Sequence, residues 1–253
     1  MLQLKKIYQF LIPKATRAYM HVCFWKVKSL FVIGNNVNCN CCNSSFSKFL
    51  DYGDYKKREN AICPNCLSLE RTRLLWYFLE GSDYLKNKSI LQFAPFKAVE
   101  NKIKNKGNVN YISGDIDAML AMKKIDITNI NYPDFSFDVI LCSHVISVVK
   151  KDIKAINEMF RVLKPKGTLI LQEHIFEEFE TTFEDFTIKT DNERYNTYGK
   201  HYLQRCYGKD FTERFINAGF SIKIYNPKDT LTKDEIKNYG LQNSGMIHLF
   251  TKN

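Results

Sequence analysis

The sequence predicts a doubly wound α/β fold with a small cysteine-rich module ahead of it. Three observations support this. A strand–helix–strand pattern spans Phe135 to Leu171, two apolar runs upstream end at Phe93 and Asp115, and two Cys-x-x-Cys pairs precede them. In the central pattern Val139, Ile140 and Leu141 form a continuous apolar run, as in a parallel strand buried on both faces. Ile153, Ile156, Phe160 and Leu163 recur at helical spacing, with Asp152 placed to cap the helix. Pro165 and Gly167 are expected to end it, and Leu169 to Leu171 resume a strand. The crossover should be right-handed.

The chain has 253 residues, enough for one such domain and a small module. A net charge of +10 fits anionic partners or a lysine-rich solvated surface. Eight cysteines without a secretory signal predict a reducing, cytoplasmic setting. No stretch approaches the roughly 20 apolar residues that a membrane span needs.

Residues 1–36 read as a basic amino-terminal arm. Lys5, Lys6, Lys14, Arg17, Lys26 and Lys28 alternate with Tyr8, Phe10, Phe24 and Trp25, and no acidic residue interrupts them. Such a segment suits peripheral contact with an anionic membrane, or packing on the domain with its lysines in solvent. Residues 37–67 read as a zinc ribbon. Cys39 with Cys42 and Cys63 with Cys66 make two Cys-x-x-Cys turns, each offering two thiolates to a tetrahedral Zn2+. Cys41 is left over. A redox pair would not need a second copy. Ser68 is expected to cap the next helix, whose apolar face is Leu74, Leu75, Phe78 and Leu79.

From residue 68 to 253 the chain reads as one domain. Its first strand is Ser89 to Phe93, followed by Ala94 and Pro95; the second is Asn110 to Asp115. Asp126 lies too close behind for a full helix between them. Ligands of open α/β sheets bind beyond the carboxyl ends of the strands. That puts Ala94, Asp115, Ser143 and His144 at one edge. The fifth strand delivers Gln172, Glu173 and His174 there. Asp210, with Glu213 three residues on, is expected to cap a late helix that Gly219 ends, before strands FSIKIY and GMIHLFTK.

The stretch FDVILCSHVI…AINEMFRVLKPKGTLIL resembles class I S-adenosylmethionine-dependent methyltransferases, whose corresponding turn reads RxLKPGG. The resemblance implies a Rossmann-like seven-stranded class I methyltransferase sheet, its last strand inserted antiparallel beside the fifth. It implies S-adenosylmethionine as cofactor, held by Phe93, Ala94 and Pro95 in the first loop, by Asp115 at the ribose with Asp117 as alternate, and by Asp126, Ile127 and Ser143. The run CPNCLSLER resembles a bacterial subgroup in which a four-cysteine module is part of the enzyme and whose members are associated with surface-polysaccharide synthesis. The segment Glu193 to Gly208 resembles that subgroup's ER…FGQxDHVRxYG, with Arg194, Gly199, Arg205, Tyr207 and Gly208 matching.

Departures are informative. The first loop has no glycine, and Phe96 stands where the subgroup has Glu. His144 and Val145 keep the start of His-Val-Leu-Glu-His, but Ser147 and Val148 replace its end. Ser143-His144-Val145-Ile146 in place of Asn/Asp-Pro-Pro-aromatic argues against amino-methylation of DNA bases. The expected function is O-methylation of a sugar, glycan or other small-molecule precursor, with His144 or His201 as base and Glu173 as a third candidate. Two other readings stay open: an RNA methyltransferase using the basic surface, and a binding or scaffold protein of the same fold without turnover.

Overall fold

The computed structural model describes residues 16, 20, 24, 25, 27–53 and 57–253. Most of the expected basic arm, including Lys5, Lys6, Lys14, Arg17 and Lys26, lies outside the described residues. The chain forms two compact units, Met1–Leu74 with Leu231–Ser244, and Leu75–Thr230 with Gly245–Asn253. No helix among the described residues is long and apolar enough to cross a membrane.

The first unit is built on two hairpins. Strands β1 (Val37–Cys39) and β2 (Ser44–Phe46) pair antiparallel, as do β3 (Leu50–Tyr52) and β4 (Arg58–Ile62). The β1–β2 turn holds Cys39 to Cys42, and a second tight cysteine turn, Cys63 to Cys66, follows β4. Asn43, at φ +58°, donates its N–H to Cys39 O (2.7 Å), and Leu67, at φ +62°, donates to Cys63 O (2.9 Å). Arg73 is fully buried beneath them. Its guanidinium donates to the carbonyls of Ser68 (2.7 Å), Tyr239 (2.6 Å) and Gly240 (2.9 Å) and covers the Phe49 ring at 4.0 Å. A buried charge is stable only when so satisfied. It ties residues 239–240 to the ribbon, a connection the 37–67 spacing does not reveal. Helix α1 (Glu70–Glu80) follows, burying Leu74, Leu75, Trp76 and Leu79. Ser68 does not cap it. The first helical amides bond to Leu69 O, while the Ser68 hydroxyl turns to the Cys39 and Cys66 sulfurs (3.1 and 3.2 Å).

The second unit is a seven-stranded sheet. In chain order its strands are β5 (Lys88–Phe93), β6 (Val109–Asp115), β7 (Lys123–Lys124), β8 (Phe137–Ser143), β9 (Leu163–Gln172), β10 (Phe220–Tyr225) and β11 (Ile247–Lys252). In space they run β10-β11-β9-β8-β5-β6-β7. β5 to β9 are parallel, and β11 lies antiparallel between β9 and β10. This is the expected sheet. Helix α2 (Lys97–Lys104) links β5 to β6, and α3 (Asp152–Val162) links β8 to β9. Between β6 and β7 there is only a turn. Leu91, Ile140, Leu169 and Leu171 are fully buried among Ile156, Met159, Phe215 and Phe250. Each such side chain contributes about 1.5–3 kcal/mol of transfer free energy.

Four local expectations are corrected. Helix α3 buries Ala155, Ile156, Met159 and Val162, while Ile153 is 48% exposed. Asp152 is its first residue and not its cap; its Oδ1 accepts from the Ile153 amide (2.9 Å) and its Oδ2 from tertiary partners, Tyr207 Oη and Arg214 Nη1. Asp210 likewise accepts from the Thr182 amide (2.7 Å) and hydroxyl (2.6 Å) in place of capping. The Pro165–Gly167 turn is absorbed into β9 as a bulge. Phe137 pairs with Leu163 (offset 163 − 137 = 26), but Val139 pairs with Thr168 (offset 168 − 139 = 29). Lys166 takes φ +61° there, and a Cβ on Gly167 would meet Lys164 O at 2.8 Å. The bulge therefore sets the register of everything beyond it.

Candidate functional site

The strand order reverses between β5 and β8. They are neighbours, with Phe93 opposite Cys142, but β5 continues to β6 on one side and β8 to β9 on the other. A crevice opens beyond the carboxyl ends at such a point. The residue after each strand turns alike: Ala94 at φ +45° and His144 at φ +54°. Their amides donate to the next strand out, Ala94 to Gly114 O (3.1 Å) and His144 to Gln172 O (2.8 Å). A left-handed conformation costs an L-residue about 1–2 kcal/mol. Strain of this kind persists where the surrounding sheet fixes it, commonly at functional sites. Glycine in the related first loops has the same conformational logic.

Around the crevice, Phe93 is a core side chain, Ala94 is exposed and Pro95 half-buried. Asp115 is half-buried at the end of β6; its Oδ1 accepts from the Asp117 amide (2.8 Å), and no bond to its Oδ2 is found among the described residues. Asp126 is exposed and bonded to the Thr128 amide and hydroxyl (both 2.8 Å), beside buried Ile127. Ser143 Oγ donates to Gln172 Oε1 (3.2 Å).

His144 Nδ1 stands 3.4 Å from Glu173 Oε1. The Glu173 side chain is 2% exposed, the imidazole 33%. Glu173 also accepts from the Ser147 amide (3.2 Å) and hydroxyl (3.1 Å) and from the His174 amide (3.1 Å). Burial works to raise its pKa, but His144 and these amides outweigh it and hold the carboxyl below its ordinary range. A carboxylate facing Nδ1 directs Nε2 outward as a proton acceptor.

Residues 94–171 match the family model described as a methyltransferase domain. The chain carries a class I S-adenosylmethionine-dependent methyltransferase domain. Curated relatives include the ubiquinone/menaquinone biosynthesis C-methyltransferase UbiE of Enterobacter sp. (strain 638), 29% identical over 146 residues, covering 56% of this chain and 49% of that protein. The UbiE protein of Erwinia tasmaniensis is 28% identical over 155 residues, 58% of this chain and 53% of that one. The chain thus spans about half the length of the curated relatives it matches. A methyltransferase structure from Mesorhizobium loti shares the fold, with TM-score 0.52 and 14% identity over 70% of this chain and 97% of that one.

The methyltransferase domain holds its β8 loop from behind. Arg205, 1% exposed, donates to the carbonyls of Ile146 (3.2 Å), Val149 (2.7 Å) and Lys150 (3.0 Å) and pairs with Glu184 (2.8 Å). Arg214 bridges Glu184 (2.9 Å) and Asp152 (2.6 Å), and Tyr207 Oη donates to Asp152 (2.8 Å). The motif residues Arg205 and Tyr207 thus fix the loop that bears His144. His201 is elsewhere: exposed, edge-on to Tyr202, its carbonyl accepting from Arg194 (2.8 Å), with no contact to His144 or Glu173 found among the described residues. A third imidazole, unforeseen from sequence, is His248 on β11. It is 6% exposed, and its Nδ1 has no bonding partner among the described residues. Burial lowers its pKa, so it is neutral there.

In the other unit Cys39, Cys42, Cys63 and Cys66 gather with all sulfurs within 4.8 Å of one another. Cys39 Sγ is 3.6 Å from Cys66 Sγ, and Cys42 Sγ is 3.7 Å from Cys63 Sγ. A tetrahedron with Zn–S bonds of about 2.3 Å has S···S edges of about 3.8 Å. The donor set therefore fits a four-coordinate thiolate metal. Cys41 stands apart, its sulfur toward Thr72 O and Asn40 Oδ1.

Proposed function

We propose that the protein methylates a hydroxyl of a sugar, glycan or other small-molecule precursor, with His144 as general base and Glu173 positioning it. The observation that supports this is the His144–Glu173 pair: an imidazole at the crevice mouth with a buried carboxylate behind it. S-adenosylmethionine, when bound, supplies an electrophilic methyl group and departs as the neutral thioether. Asp115 would accept from its ribose hydroxyls, and the amides at the start of α2 would meet its carboxylate. His144 Nε2 would take the proton of the acceptor hydroxyl, and Glu173 would stabilise the imidazolium that forms. Such a base contributes typically 10²–10⁴-fold. A place in surface-polysaccharide synthesis accords with the CPNCLSLER resemblance.

For the cysteine cluster the same reading assigns one structural Zn2+, which holds a module too small to bury much core of its own.

The test is formation of S-adenosylhomocysteine from labelled cofactor with small-molecule extracts as acceptor source, compared between wild type, His144→Ala and Glu173→Gln. Near-normal rates in His144→Ala would remove the base from the mechanism. Turnover only on C–H acceptors would replace O- by C-methylation.

A further inference from the structure

One feature next to the proposed dyad is not needed for it. From His174 a row of rings in mutual contact leads away along the segment after β9. His174 meets Phe176 edge-on at 4.4 Å, Phe176 stacks on Phe179 at 5.8 Å, Phe179 meets Phe183 at 6.3 Å, and Phe183 meets Tyr198 at 5.8 Å. Phe176 and Phe179 are half-exposed and Phe183 is 44% exposed. A row of accessible rings has no packing reason to remain on a surface.

The row is rigidly mounted. The Phe176 amide donates to Tyr207 O (2.8 Å), and Phe183 and Cys206 exchange amide bonds (2.9 Å each). The Lys209 amide donates to Phe179 O (3.0 Å), and Asp210 holds Thr182 by two bonds. Gly208 lets the two backbones touch, since a Cβ there would lie 2.6 Å from Thr181 C and 2.7 Å from Phe179 O. The rings are therefore pre-organised, which lowers the cost of binding on them.

Charge narrows the ligand. Residues 173 to 193 hold eight carboxylates, of which Glu180, Glu184 and Asp191 pair with Lys209, with Arg205 and Arg214, and with Arg194 respectively. Glu177 and Glu178, beside Phe176 and Phe179, are exposed. Ring faces carry negative quadrupole density and attract C–H edges and cations. Phosphate groups would be repelled by both features.

We infer that Phe176, Phe179 and Phe183 form the acceptor platform, taking an acceptor ring that presents a C–H-bearing face or edge and no phosphate on that ring. This rests on the methyltransferase reading, because the row begins one residue from Glu173. Two sources share the chemistry, a pyranoside ring and an aryl ring.

Saturation-transfer NMR on the full chain tests it, with methyl α-glucopyranoside, 4-hydroxybenzyl alcohol and glucose 1-phosphate as probes. At least one uncharged probe should receive saturation on its ring C–H protons, with little on the phosphate. Transfer should fall at least fivefold in Phe179→Ala and recover in Phe179→Trp. Phe183→Ala, at an exposed ring, should fall similarly and covers the case in which Phe179→Ala does not fold. The pyranoside leading identifies a sugar acceptor, the alcohol an aryl one. No transfer to either uncharged probe, equal transfer to the phosphate, or transfer indifferent to both Ala variants overturns the platform. Calorimetry with S-adenosylhomocysteine on the same samples reads the cofactor crevice separately. Binding there with no probe transfer defeats the platform alone; no binding there defeats the methyltransferase reading.

Discussion

The cysteine cluster and the His144–Glu173 pair join residues at nearly the same separation, 27 for Cys39 and Cys66 and 173 − 144 = 29 for the pair. They reach closeness by different means. The cluster is made by two short turns, each complete within four residues, so spacing alone announces it. The pair is made by sheet register. Ser143 lies opposite Gln172, so the next residues, His144 and Glu173, leave their strands side by side. That register depends on the bulge at Lys164–Gly167. Turn chemistry is written locally, whereas register is written wherever an insertion shifts it.

Breaking the cluster should have the largest effect. Cys63→Ser is expected to lose the proposed zinc by elemental analysis and several kcal/mol of stability by urea titration, since structural zinc binding is coupled to folding. Cys41→Ser should keep both. If the two variants lose metal equally, the ligand set is wrong.

The pair should be nearly as sensitive, but in rate. His144→Ala should cost about 100-fold or more in turnover with cofactor affinity unchanged. Gly167→Ala tests whether register is the cause. Its Cβ would press on Lys164 O and Asp138 O, at a cost of about 1–3 kcal/mol, and turnover should fall though the crevice residues are intact. Full activity in Gly167→Ala would show that the bulge tolerates change without moving Glu173.

Smaller effects sharpen the contrast. Asp115→Ala should weaken cofactor binding at least tenfold by calorimetry, with the fold retained. Acid should also act on the second unit through its carboxylates. For Glu173 and Glu184 burial pushes the pKa up, and His144 and the amides in one case, Arg205 and Arg214 in the other, pull it below the ordinary 4.5. A depressed folded-state pKa gives stability that is complete above the unfolded value and is lost as pH falls through the folded one. Urea midpoints should therefore drop below about pH 4.5. Glu173→Gln should show a shallower drop, and an equal slope would exclude Glu173 from the effect. Smallest of all, Ala94→Gly should change stability by less than about 1 kcal/mol, because relief of the left-handed strain is offset by a more flexible unfolded chain.

The sheet was legible because its central strands β8 and β9 carry continuous apolar runs and turn residues bound the others, and β5, β6, β8, β10 and β11 lie within a residue or two of expectation. The helix caps were not. Asp152 and Asp210 have the residue type and spacing of caps, but Asp152 is already inside the helix with its Oδ2 held by Tyr207 and Arg214, and Asp210 is held by Thr182. Ser68 lost its capping role to two sulfurs. At the site, Cys39, Cys42, Cys63 and Cys66 could be grouped from spacing alone. Glu173 could be placed at the right edge, but not beside His144, since the bulge offset is invisible in an apolar pattern. The positive φ of Ala94 carries no residue signal, and that of His144 only the modest enrichment of histidine in this region.

The strand order has a consequence for synthesis. Among the described residues β10 pairs only with β11, and β11 fills the place beside β9 although about 75 residues separate Gln172 from Ile247. At roughly 5–20 residues per second, β9 leaves the ribosome about 4–15 s before its neighbour exists. During that interval the open side of Leu169, Ile170 and Leu171 is an unpaired apolar edge, the kind that templates association between chains. The half-made protein is thus most exposed to aggregation after the β8–β9 edge has been synthesised and before its sheet can close.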